Sequence, residues 1–234
     1  MDVITAVARE RSKFRVTVNG DTDIMVQSAI FRERPLHEGE AIDLEEYDNW
    51  LMVRQYRQAL DRAVAALASR AHSKHELECK LLRAGYRPCT VEMVLYKLET
   101  EGFLDDADFA RQWVEARTAR RLGSRRIAQE LRHKGIDADD AEAALAEVDE
   151  DEQLSAAVAL VEKAAARIRP GEDPRKAAAR ISGMLARRGY GWDVARQAIE
   201  QVMKDMEEQA PPAAIQHAAS VCKTQMGGIG YGEL

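Results

Sequence analysis

Ser73-Lys74-His75-Glu76-Leu77-Glu78-Cys79-Lys80-Leu81-Leu82-Arg83-Ala84-Gly85-Tyr86 is the stretch that decides the fold. Ser73 can accept a hydrogen bond from the first helical turn and Glu76, three residues on, can reach back, so the pair predicts a capping box. Leu77 and Leu81, four apart, sit one above the other on a helix. Gly85 supplies the left-handed residue that ends it. Pro88 restarts a helix and Gly102 closes it. The pattern then recurs twice. With Gly85, Gly135 and Gly189 in register, Leu81, Leu131 and Leu185 stand four residues before the glycine, and Leu77, Ile127 and Ile181 eight before. Tyr86, Ile136 and Tyr190 stand one after, Leu95, Leu145 and Ile199 ten after, and Leu98, Val148 and Val202 thirteen after. Offsets of three and four put these columns on single helical stripes. A further helix precedes each copy, at about 56–70, 106–121 and 153–168. The expected fold is mainly α: three tandem three-helix repeats with periods of 50 and 54 residues. Each repeat would bury its stripe partly on its neighbour in an elongated, curved stack.

Residues N-terminal to the repeats follow another rule. Lys13-Phe14-Arg15-Val16-Thr17-Val18 alternates polar and apolar, Asn19-Gly20 favours a tight turn, and Ile24-Met25-Val26 can return as a second strand. Val3 to Val7 offers a third strand, so a small β-hairpin extension is expected to pack on the helical body next to it. Asp43 can cap a helix that begins at Leu44. The domain plan is a β-rich extension at 1–42, a linker helix with repeat 1 at 43–104, repeat 2 at 105–151, repeat 3 at 152–207 and a flexible tail at 208–234. Pro211-Pro212 and Gly227-Gly228 mark that tail.

Of 234 residues, 46% are hydrophobic and 32% charged, enough apolar material for a core and too much for wholesale disorder. Cys79, Cys89 and Cys222 are odd in number and far apart, which argues against a disulfide scaffold and for a reducing compartment. No run approaches the ~18 apolar residues of a membrane span, and Met1-Asp2-Val3 opens without a basic, then apolar, segment. A cytoplasmic protein without a membrane contact is expected.

The net charge of −6 argues against a blanket polyanion binder, but charge is segregated. Arg111, Arg117, Arg120, Arg121, Arg125, Arg126, Arg132 and Lys134 crowd one stretch, while Asp139 to Glu152 carries eight carboxylates and no Lys or Arg. Arg167, Arg169, Arg175, Lys176, Arg180, Arg187 and Arg188 then turn the third repeat basic. Such patches suit phosphate or an acidic protein surface. Part of the cluster fits a solvated helix face with pairs such as Arg111 and Glu115. Arg120-Arg121 and Arg125-Arg126, flanking Leu122-Gly123-Ser124 where one helix ends and another begins, do not. The candidate partner-binding residues are Arg117, Arg120, Arg121, Arg125, Arg126, Arg132, Lys134, Arg180, Arg187 and Arg188.

Other constellations carry less. His72, His75, Cys79 and Cys89 include zinc-ligand types, but HxxHxxxC with a distant Cys matches no structural-zinc spacing. Asp105-Asp106 precedes an apolar-periodic helix with Phe109, Trp113 and Val114, the place for a helix cap rather than paired catalytic carboxylates. Neither GxGxxG nor GxxxxGK[ST] occurs. Trp113, Trp192 and most tyrosines read as packing residues, with stacking on bases the weaker alternative. No catalysis, metal or cofactor is expected.

Taken together, these blocks resemble the RecX family of bacterial recombinase regulators. Ser73 to Leu81 with Gly85-Tyr86 carry the likeness first, and Gly102-Phe103-Leu104-Asp105-Asp106 with Phe109-Ala110 carry it further. Gly123-Ser124-Arg125-Arg126-Ile127 and Glu130-Leu131-Arg132-His133-Lys134-Gly135-Ile136 complete it. The likeness covers about residues 55 to 205; in the third repeat Arg187-Arg188-Gly189-Tyr190 fits, whereas the helix before it departs from the pattern. The strand-like extension is similar to that of longer family members. The resemblance implies a non-enzymatic, monomeric modulator that binds in the groove of the RecA–DNA filament. It would inhibit or tune RecA ATPase, strand exchange and LexA cleavage in the SOS response and recombinational DNA repair, while the acidic net charge favours only weak direct binding to single- or double-stranded DNA. The competing expectation is a stand-alone DNA-binding protein that uses its repeats as helix-turn-helix modules.

Overall fold

The computed structural model describes residues 1–168 and 172–209. It opens with strands β1 (Asp2–Glu10), β2 (Lys13–Val18) and β3 (Thr22–Gln27), helix α1 (Ser28–Glu33) and strand β4 (Ala41–Ile42). The strands form one antiparallel sheet in the order β3-β2-β1-β4. Asn19 and Gly20 take positive φ at the β2–β3 turn, and Val16 pairs with Ile24 across it. The expected hairpin is therefore part of a four-stranded sheet. Its last strand, two residues long, and the six-residue α1 are too short to leave a periodic signal. Ile4, Val16, Val18, Ile24 and Val26 are buried on one face with Ile30 and Phe31 of α1.

That face closes on α2 (Leu44–Ser69), whose Tyr47 and Leu51 complete the cluster. Asp43 caps α2 by accepting from the Glu46 N–H at 3.1 Å. The linker helix and the first helix of repeat 1 are thus one helix of 26 residues. Its first half serves the sheet. Its second half, through Ala59, Ala63 and Ala66, serves a core with α3 (Lys74–Arg83) and α4 (Pro88–Thr100). Fully buried Gln55 sits where the two cores meet and is hydrogen-bonded throughout. Its Nε2 donates to Gln27 Oε1 at 2.9 Å and its Oε1 accepts from the Arg87 N–H at 3.0 Å.

The remaining helices are α5 (Asp106–Thr118), α6 (Ser124–His133), α7 (Ala138–Ala146), α8 (Glu150–Ala165), α9 (Pro174–Arg188) and α10 (Trp192–Gln209). Residues 1–109 with 134–137 make one compact unit, and residues 110–133 with 138 onward make the other. Gly85, Gly135 and Gly189 all take left-handed φ, between 74° and 88°. Before each lie two buried residues, Leu77 and Leu81, Ile127 and Leu131, Ile181 and Leu185. After each a buried Tyr86, Ile136 or Tyr190 folds in.

The third helices pack on columns that alanine conceals. Val91, Ala141 and Ala195 stand six after the glycine and Val94, Ala144 and Ala198 nine after, and all six are buried. Leu145, Ile199 and Val148, by contrast, are only half-buried, and Val148 lies beyond the end of α7 at Ala146. The tail expected at 208–234 lies, from residue 210, outside the described residues; 208 and 209 belong to α10.

Candidate functional site

Each compact unit contains one contact between successive repeats, and both are built alike: the start of a second helix meets the glycine turn of the next repeat. In the first, Ser73 Oγ caps α3 by accepting from the Glu76 N–H at 3.2 Å and donates to the Lys134 carbonyl at 2.6 Å. Asp106 accepts from the Lys74 N–H at 2.8 Å, and Asp105 accepts from the Asp108 N–H at 2.8 Å as the cap of α5. A Cβ on Gly135 would come within 3.0 Å of His75.

Only half of the expected capping box forms at Ser73. The Glu76 carboxylate turns instead to Arg70, at 2.9 Å, and to Lys134. Burial by itself would raise its pKa, but the hydrogen bonds and charges of Arg70 and Lys134 outweigh that and hold it at about 2.

The second contact is made by backbone. The Gly123 N–H donates to the Arg188 carbonyl at 2.9 Å and the Arg125 N–H to the Gly189 carbonyl at 3.1 Å. Tyr190 Oη donates to the Arg121 carbonyl at 3.0 Å, and burial raises that phenol's pKa. A Cβ on Gly123 would meet Gly189 and Tyr190 backbone at 2.5 Å. Only glycine allows the two turns to approach this closely.

These contacts sort the ten candidate cations. Arg117 is committed internally: its Nε binds Glu130 at 2.6 Å and its guanidinium covers the Trp113 ring at 3.8 Å. Trp113 Nε1 also donates to Glu130, at 3.2 Å. Desolvation alone would raise the Glu130 pKa, but Arg117, Arg126 and Trp113 lower it on balance. Arg126 pairs with Glu130 at 3.4 Å, Arg180 with Glu172 at 3.3 Å, and Lys134 with Glu76 in the other unit.

Arg120, Arg121, Arg125, Arg187 and Arg188 have no carboxylate within 4 Å among the described residues. Arg188 Nη1 donates weakly to the Arg120 and Arg121 carbonyls at 3.4 Å. Arg120, Arg121, Arg125 and Arg187 are exposed. The Gly123–Gly189 contact therefore gathers a crest of arginines from three helix ends. Arg132 is exposed on α6.

Trp192 was expected to pack and does not. It is 63% exposed, because the buried stripe of Ala195, Ala198 and Val202 runs back to Gly191 and passes it by. Of the histidine and cysteine set, His75 Nε2 and Cys79 Sγ lie 3.6 Å apart on the helix surface, whereas His72 is buried with Nδ1 against the Arg70 carbonyl. Among the described residues no three metal-ligating side chains meet. No described helix is long and apolar enough to cross a membrane.

Three family profiles match the chain in order: "RecX, first three-helix domain" at residues 59–98, the second at 105–145 and the third at 150–199. "Regulatory protein RecX" of Mycobacteroides abscessus is 39% identical over 153 residues, spanning 65% of this chain and 75% of that protein. The chain belongs to the RecX family. A second RecX relative, from Mycobacterium avium, is 37% identical over 139 residues, 59% of this chain and 80% of its own. A crystal structure of regulatory protein RecX aligns over 86% of this chain and all of its own, with TM-score 0.60 and 21% identity. RecX from Lactobacillus salivarius aligns over 64% of this chain and 97% of its own, with TM-score 0.60 and 23% identity. Those two structures share the fold. The arginine crest draws Arg120, Arg121 and Arg125 from the second RecX domain and Arg187 and Arg188 from the third.

Proposed function

We propose that this chain is a non-catalytic, cytoplasmic modulator of RecA that acts as a monomer on the RecA–DNA filament. It lowers ATP hydrolysis, strand exchange and LexA cleavage, and so tempers the SOS response and recombinational repair. The family membership and the relatives' name, regulatory protein RecX, support this reading. The observation that carries the contact surface is the crest of Arg120, Arg121, Arg125, Arg187 and Arg188, whose guanidiniums no carboxylate of the described chain neutralises. The repeats bridge neighbouring RecA protomers, with the crest facing acidic protein or filament DNA. Arg117, Arg126 and Arg180, each paired with a carboxylate, and Arg132 on α6 are the secondary candidates of the same unit, and Lys134, paired with Glu76, is the candidate of the other.

The test is single-stranded-DNA-dependent ATP hydrolysis by RecA, titrated with this protein. Inhibition at substoichiometric ratios is expected, because one bound copy affects a filament. The triple variant Arg120→Glu, Arg121→Glu, Arg125→Glu should need at least tenfold more protein for the same inhibition, with unchanged helical circular dichroism. Full potency in that variant would remove the crest from the contact. No inhibition by the wild-type protein, together with tight binding to naked DNA and a steep salt slope, would replace the proposal with the stand-alone DNA-binding reading.

A further inference from the structure

We propose that Trp192 and the arginine crest form a subsite for unpaired bases, so that the partner chemistry of this surface is single-stranded nucleic acid. The inference deepens the surface proposed for RecA–DNA filaments and rests on it. An indole that is 63% exposed covers little of its own core, and the packing of α10 does not need it: Ala195, Ala198 and Val202 already face Leu160, Ile181 and Leu185. Trp50 and Trp113, by contrast, are both half-buried and ring-paired, the first against Tyr47 and the second beneath Arg117.

The position of Trp192 matters as much as its exposure. It comes directly after Gly189-Tyr190-Gly191, the turn against which Gly123 and Arg125 dock. Arg125 Nε lies 3.9 Å from where a side chain on Gly191 would begin, so a guanidinium borders the residue next to the indole. Arg187 and Arg188 precede the same turn in the last turn of α9, Arg188 with Nη1 at the Arg120 and Arg121 carbonyls and Arg187 with Nη1 back over Gly183. Asp193 is the single carboxylate adjoining Trp192 in sequence, set in the first turn of α10.

An exposed indole that follows a turn bordered by the Arg125 guanidinium matches a nucleotide with its base unstacked: the base lies on the indole and the phosphates meet the arginines. An acidic protein surface would use the arginines and leave the indole in water. A duplex would do the same, since its base faces are already stacked on one another. Single strands alone use both halves of the site.

The test measures binding of fluorescently labelled oligothymidylate, and of a duplex of equal length, to the full chain without RecA. Trp192→Ala should weaken oligothymidylate binding about tenfold and Trp192→Phe less than twofold, while duplex binding stays within twofold for both. Oligothymidylate should quench wild-type tryptophan emission, and Trp192→Phe should abolish most of that quenching. Equal affinity of Trp192→Ala and wild type for oligothymidylate overturns the proposal. So does a parallel loss on duplex, or no binding by the wild type. If Trp192→Ala loses RecA inhibition but keeps oligothymidylate affinity, the indole touches protein and the base subsite is wrong. Inhibition of RecA by the wild type, read separately, then leaves the proposed regulatory function intact.

Discussion

The two contacts between successive repeats solve one packing problem with different atoms. At Ser73 the seal is made by side chains: a hydroxyl, the Glu76 carboxylate and the Lys134 ammonium, all turned inward. At Gly123 the seal is made by peptide groups, and the side chains of Arg120, Arg121 and Arg125 are left over. A contact closed by peptides frees its side chains for a partner, whereas one closed by ion pairs consumes them. The same repeat unit can thus be structural glue in one place and an interaction surface in another.

The largest effect should appear on adding one carbon at the peptide-sealed contact, with a glycine outside both contacts as the reference. Gly189→Ala places a Cβ within 3.0 Å of Arg126 backbone and forces left-handed φ on alanine, so unfolding in urea should show a loss of about 3 kcal/mol. Gly102→Ala has the same φ problem with nothing within 4 Å, and about 1 kcal/mol is expected. Equal losses would mean that close approach is not what the Gly123 contact depends on.

Ser73→Ala comes next. It removes both the cap of α3 and the donor to the Lys134 carbonyl, for about 2 kcal/mol by the same measurement. Acid should give the smallest effect. Glu76 has a folded-state pKa depressed to about 2, so its contribution is full above the ordinary glutamate value and is lost as pH falls from about 5 towards 2. Wild type should lose about 1–2 kcal/mol across that window, after allowing for solvent screening, and Glu76→Gln should lack this component. An identical pH slope in the two proteins would separate Glu76 from the side-chain seal.

Much of the fold was legible because it repeats. Three glycines in register fixed where helices end, and the leucines and isoleucines before them, all buried, fixed which face turns inward. Less was legible where the signal was small or distant. Alanine at 141, 144, 195 and 198 fills core columns without looking apolar enough to be counted, and β4 and α1 are too short to carry a period. Trp192 was misplaced because a large aromatic ordinarily lies in a core, whereas its stripe passes one residue away.

The candidate cations show where local reading stops. Arg126 has Glu130 four residues on along α6, a pair readable from sequence, but Arg117, Lys134 and Arg180 cannot be told from Arg120, Arg121, Arg125 and Arg187 by residue type or neighbours in sequence. They differ because Glu130, Glu76 and Glu172 come within reach of the first set alone. The sequence by itself determined the helices, their capped starts and glycine ends, the repeat and the family, all set by interactions spanning a few residues. Only the tertiary structure decided which charges remain for a partner. That choice depends on Gly123 meeting Gly189, 66 residues away, closely enough for peptide groups to bond.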